Sequence, residues 1–201
     1  MSIVFGQNKI EVPNYNDDYS KTVKKLESGQ TDIDYRSFRE NFIQSEQFKV
    51  ASKKSTELNE LTDKMYQQMS DKDFNGVIST TQQMLSIDYT SMTAHKILRQ
   101  TYKIVGDTIG AEKYKSIQFG LLKSIVDNGD GKSCENGWPV IQISEEYFIL
   151  NMLDVKLIEQ SIDNENGICD LMVVQNENGE RETYYFEISN VFKGRKKLED
   201  N

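Results

Sequence analysis

Apolar residues in the first two thirds of the chain recur at helical spacing. Tyr19, Val23 and Leu26 share one face of a 3.6-residue turn. Tyr35, Phe38, Phe42 and Ile43 share another, after Asp32 or Asp34 as a cap. Further stripes run through Leu58, Leu61, Met65 and Met69, and through Phe74, Val77, Ile78, Thr81 and Leu85. Two more follow, at Ala94, Ile97, Leu98 and Val105, and at Ala111, Tyr114, Ile117, Leu121 and Ile125. Each stripe places its side chains on one side of a helix. The connections Ser70-Asp71-Lys72, Asp88-Tyr89-Thr90 and Gly106-Asp107 are short, so successive helices must run antiparallel. Asp73 and Asp107 stand 34 residues apart, and Val77 and Ala111 hold equivalent apolar positions. That is the period of a tetratricopeptide-like helical hairpin, which buries its apolar face by stacking on neighbours.

Around Asp127 the period changes. Asn128-Gly129-Asp130-Gly131 is a turn cluster that a helix does not cross. Val140 to Ile143 reads as a strand, and Ser144 as the cap of a short helix whose first turn holds Glu145 and Glu146 as complements to the helix dipole. Three strands follow, at residues 155–162, 168–175 and 182–189, joined by Asn- and Gly-containing loops of hairpin length. Tyr184, Phe186 and Ile188 alternate with Tyr185 and Glu187, which buries one face of the last strand. The expected fold class is α+β: a tetratricopeptide-like antiparallel helical stack, then a small antiparallel meander with one short helix. The expected divisions are a leader remnant or flexible start at 1–12, a helical region at 13–127, a small α+β region at 128–192, and a basic, disordered tail at 193–201.

Charge narrows the partners. The first 127 residues carry as many basic as acidic side chains, so the net charge of −8 falls wholly on the remainder. Neither part offers the positive field that nucleic acid requires. An acidic surface also disfavours anionic membranes, and no stretch approaches the ~20 apolar residues that span a bilayer. Ile3, Val4 and Phe5 with the small Gly6 before Gln7 resemble the end of a secretory leader. Cys134 and Cys169 are either one disulfide or two isolated thiols, and neither lies in a C-x-x-C pattern.

No catalytic set emerges. Gly131-Lys132-Ser133 resembles the end of a phosphate loop, but the first glycine would fall at Val126 and the segment follows a helix. A calcium loop with Gly131 at its sixth position would need ligands at Val126 and Gly137. His95, the single histidine, sits beside core positions, and no second histidine completes a metal set. Neither a cofactor nor a metal is implied. The residues placed as candidates for binding are Asp130, Lys132, Ser133, Trp138 and His95.

The run Gly129-Asp130-Gly131-Lys132-Ser133, then Glu135, Val140-Ile141, Glu145-Glu146-Tyr147 and Tyr184-Tyr185-Phe186-Glu187-Ile188, resembles the bacterial domain-of-unknown-function family 4919. Asp34 to Arg39 and Ala94-His95 extend the resemblance, which covers residues 32–192. It departs from the family's pattern at Glu187, where Asp is usual, and near Gly137-Trp138. The resemblance implies a secreted or periplasmic protein of Gram-negative bacteria, mainly Bacteroidetes, and no known activity. The functional expectation is a non-enzymatic module, either binding a protein or peptide partner in the cell envelope or serving as an accessory subunit, without nucleic acid and without membrane insertion. The alternative is an envelope hydrolase acting on carbohydrate or peptide through carboxylates of the acidic C-terminal half.

Overall fold

Short polar side chains start most of the helices by accepting the free N–H groups of the first turn. Asp17 accepts from Ser20 N at 2.7 Å and opens α1 (Asp18–Glu27). Asp34 accepts from Ser37 N at 3.0 Å ahead of α2 (Tyr35–Gln44), and Ser45 accepts from Phe48 N to open α3 (Glu46–Lys53). α4 spans Ser55–Ser70 and α5 spans Phe74–Ile87, α5 capped by Asp73. α6 (Met92–Val105) is capped by Ser91, and α7 (Thr108–Val126) by Asp107, which accepts from Gly110 N at 2.9 Å. The computed structural model describes residues 10–164 and 167–199. The leader-like residues 1–9 lie outside the described part.

The chain divides into two units. Unit 1 joins the described residues up to Asp32 with Ser45–Ile117, and unit 2 joins Ile33–Gln44 with the residues from Gln118 onward. The boundaries of these units fall elsewhere than residue 128. Ten residues of α7 fall in unit 1 and its remainder, from Gln118, in unit 2. α2 also belongs to unit 2, where it packs against a C-terminal helix.

In unit 1, α5 packs against both α4 and α6, and α3 packs against α4 and α5. The apolar stripes are the core: Val23, Leu26, Met65, Val77, Leu85, Leu98 and Ile117 are all buried. The 34-residue recurrence has a backbone counterpart. Lys72 and Gly106 both take positive φ, at 58° and 84°, ending α4 and α6. Asp73 N then bonds Gln68 O at 2.9 Å, and Asp107 N bonds Tyr102 O at 2.9 Å. Each aspartate caps the next helix onto a glycine, Gly76 or Gly110, and a Cβ at either glycine would collide with the capping carboxylate.

Unit 2 is built on a four-stranded sheet of β1 (Trp138–Pro139), β2 (Lys156–Asp163), β3 (Cys169–Gln175) and β4 (Arg181–Glu187), in the order β1-β4-β3-β2. β2, β3 and β4 pair antiparallel, as expected, but β1 pairs parallel to β4, so the sheet is mixed. The strand expected at Val140–Ile143 lies two residues earlier. Helix α8 (Ile143–Met152) already begins there, after Gln142 rather than Ser144. Glu145 explains the shift, because its Oε2 accepts Ile141 N at 2.8 Å and pins the helix start from within. The segment expected to be a disordered tail forms α9 (Ser189–Glu199), which carries Lys196 and Lys197 in its last turn. Cations at that end complement the helix dipole, and Val191 supplies a buried anchor.

Candidate functional site

Four of the five sequence candidates gather in unit 2, Asp130, Lys132 and Ser133 in one loop and Trp138 on β1 against it. Asp130 N and Gly131 N both donate to Asn136 O at 3.0 Å. Asp130 Oδ1 accepts Lys132 N at 2.9 Å, and Ser133 Oγ accepts Asn136 N at 3.3 Å. Gly131 has φ +67°, and a Cβ there would stand 2.9 Å from the Trp138 ring, so the loop backbone lies on the indole. Trp138 Nε1 donates to Gly129 O at 3.1 Å, and the ring stacks on Tyr184 at 5.2 Å between centroids. Lys132 Nζ sits 3.2 Å from Glu182 Oε2 and 4.6 Å above the Tyr184 ring. Glu182 also accepts the Tyr184 hydroxyl, and these partners, Tyr184 first, hold its carboxyl below the ordinary range. The two cysteines form a disulfide that ties this loop to β3. The polar side chains here are bonded within the loop and to β4, and Trp138 is only 8% exposed. Chemically the loop is a fastening.

His95 lies in unit 1 and is fully buried. Its Nε2 is 2.8 Å from Tyr89 O, so that nitrogen carries the proton. The ring packs against Tyr89 and stacks on Tyr114 at 5.7 Å. Burial lowers its pKa to about 4, against the upward pull of the Tyr89 carbonyl and with a smaller push from Lys113. Beside it, Glu27 accepts the Tyr89 hydroxyl, the Tyr114 hydroxyl at 3.2 Å and Lys113 Nζ at 3.0 Å. This neutral, sealed imidazole holds packing together.

Two buried charge groups in unit 2 escape the sequence pattern. Arg39 meets Glu145 through two bonds, Nε to Oε1 at 2.8 Å and Nη2 to Oε2 at 2.6 Å, with both side chains 3% exposed. Arg39 Nη2 also donates to Pro139 O at 2.9 Å, so the guanidinium fork is well supplied with acceptors. The second group is Glu146 with Asp170, 0% and 4% exposed. Asp170 Oδ2 accepts Gln160 Nε2 at 2.7 Å, while Asp170 Oδ1 and both Glu146 oxygens lack a donor. Two ionised carboxylates cannot bond each other, but one proton between them completes a hydrogen bond. Burial, then the Asp170 and Glu145 charges, push the Glu146 pKa up to about 8. The expectation that Glu145 and Glu146 merely face the dipole is thus corrected: they point into the interior and do different work.

Unit 1 also holds an open groove of about 630 Å³. Its walls include Gln47, Lys54, Glu57, Ser79, Gln82 and Gln83, with residues 11–15 along one side. Those residues form neither helix nor strand, and Glu11 N donates to Ser86 Oγ at 2.9 Å. Gln82 is largely buried in this wall. Its Nε2 donates to the Tyr102 hydroxyl at 3.2 Å, and its Oε1 has no partner. A buried amide oxygen without a donor is costly, and this one is closed off from the solvent in the groove. Among the described residues, no group of three or more His, Cys, Asp or Glu side chains is arranged to hold a metal ion. No helix among them is long and apolar enough to cross a membrane.

Residues 7–197 match the family described as Domain of unknown function (DUF4919), and the chain belongs to that family. No curated protein and no solved structure matches it.

Proposed function

We propose that this chain is a non-enzymatic module of the cell envelope that holds a protein or peptide in the groove of unit 1. The observation that carries the reading is an open groove of about 630 Å³ walled by the amide, hydroxyl and charged side chains of Gln47, Gln83, Ser79, Lys54 and Glu57. Such a wall suits an extended peptide, whose backbone supplies N–H and C=O groups along its length. The 34-residue recurrence of cap and turn in α4 to α7 supports a tetratricopeptide-like helical array, an architecture that commonly presents binding surfaces. Pairing of Cys134 with Cys169 supports an oxidising compartment, such as the periplasm or the exterior.

The alternative, a hydrolase working through carboxylates, draws on Glu146, whose raised pKa would suit a general acid. Against it, Glu146 and Asp170 are sealed within unit 2 and do not line the groove. A substrate has no contact with either carboxyl.

The test is retention from an envelope extract on immobilised protein, comparing the wild type with Gln83→Trp. Gln83 is an exposed groove residue, so the bulky ring fills the groove without disturbing the core. The wild type is expected to retain a defined partner, and the variant to retain about tenfold less. Equal retention would remove the groove from consideration. Hydrolase turnover abolished by Glu146→Gln would favour the enzyme instead.

A further inference from the structure

β2 is the outer strand of the unit 2 sheet, with β3 on one side and no strand on the other among the described residues. Six of its eight residues are exposed, including Ile158 at 41% and Ile162 at 54%. Open edges of this kind invite a further strand unless something spoils the match. Here the spoiling feature is a bulge. Leu157 faces Val174 and Glu159 faces Val173, so Ile158 is skipped in the ladder.

The hydrogen-bonding direction of the edge follows from the sheet. Tyr185 N donates to Gly131 O and so points away from β3. Its partner Leu171 therefore turns its N–H and C=O towards Ser161 of β2. Alternation along β2, with the bulged residue omitted, leaves the backbone groups of Leu157, Gln160 and Ile162 facing the open edge.

We propose that this edge pairs with the same edge of a second copy, antiparallel, about a two-fold axis at Gln160. With Ile158 skipped on both strands, Gln160 meets Gln160, Leu157 meets Ile162, and Lys156 meets Asp163 at each end. The three outward-facing residues then pair only with one another, which is the condition for a bonded antiparallel ladder. The register places opposite charges at both ends and apolar side chains next to them, while Glu159 faces Ser161 and no like charges oppose. With one bulge on each side of the axis, Lys156 and Asp163 of opposite charge close both ends. The result is an isologous contact joining two four-stranded sheets into one of eight.

Sedimentation velocity on the full chain from about 1 to 100 μM tests this. The wild type is expected to show a monomer–dimer equilibrium in that range. Lys156→Glu puts like charges together at both ends and should weaken association about tenfold. Adding Asp163→Lys to that variant should restore it. Lys156 is exposed, so the single change does not disturb the core. A wild type that stays monomeric throughout overturns the proposal, as does a dimer indifferent to Lys156→Glu.

Discussion

At the scale of single residues, Glu146 is the most consequential position. Its ordinary carboxyl pKa of 4.5 rises to about 8 in the fold, chiefly through burial. The folded state therefore holds the proton more tightly than the unfolded chain does. The stabilising contribution is complete below pH 4.5 and is lost as pH rises through about 8. Glu146→Gln keeps a donor for Asp170 and removes the charge, so its stability should be flat over that window. At about pH 8.5 it should exceed the wild type by on the order of 2–3 kcal/mol. Urea midpoints at several pH values check this, and parallel profiles for the two proteins would refute the shared proton. Nothing local in the sequence announces this role. Adjacent glutamates at a helix start already have an adequate explanation in the dipole, and Arg39 is 106 residues from the Glu145 it neutralises. Asp130, Lys132 and Ser133, with Trp138 on β1, were legible as a cluster because they are neighbours in the chain. Their bonds to Asn136, Glu182 and Tyr184, which make them a fastening, depend on how the loop returns to β4.

At the scale of elements, legibility tracked the amount of apolar patterning. The six stripes, which repeat over two to four turns, correspond to α1, α2, α4, α5, α6 and α7. α3 carries only Phe48, Val50 and Ala51 as apolar residues in eight positions, and α9 begins with a serine and asparagine and ends in a basic run. Both are held by packing, α9 against α2, and such support leaves no periodic trace. β1 is two residues long and exists by pairing with β4, so its position could not be read locally. The 34-residue recurrence, by contrast, resolves to one turn used twice, with Gly106 and Lys72 in the same left-handed place. Lysine meets a steric cost there that glycine avoids. Lys72→Gly is therefore expected to stabilise unit 1 by about 1 kcal/mol, with the native backbone unchanged. Thermal or urea unfolding of the two proteins measures it. A loss of stability would mean that the lysine side chain contributes more than the backbone strain removes.

At the scale of the whole molecule, the chain does not divide where its period changes. The switch from helical to alternating pattern at Asp127 marks a change of element type, yet unit 2 also takes Ile33–Gln44 from within the helical stretch. Arg39 gives the physical reason, since its charge is compensated by Glu145 and by Pro139 O, which fixes α2 to the sheet-bearing unit. The two units then carry opposite titration signs. In unit 1 the pKa of His95 falls from 6.5 to about 4, so the unfolded chain binds the proton more readily. Its contribution is complete above pH 6.5 and is lost as pH falls through about 4, whereas that of Glu146 is lost as pH rises through about 8. Amide hydrogen exchange, corrected for intrinsic rates, should show α6 losing protection on the acid side and α8 with β3 losing it on the alkaline side. His95→Gln, which retains a donor for Tyr89 O, should remove the acid response of α6 and leave α8 and β3 unaltered. If α6, α8 and β3 lost protection together at either extreme, the units would open as one cooperative body. The opposed dependences would then cancel within a single transition, and neither side chain would govern its own unit.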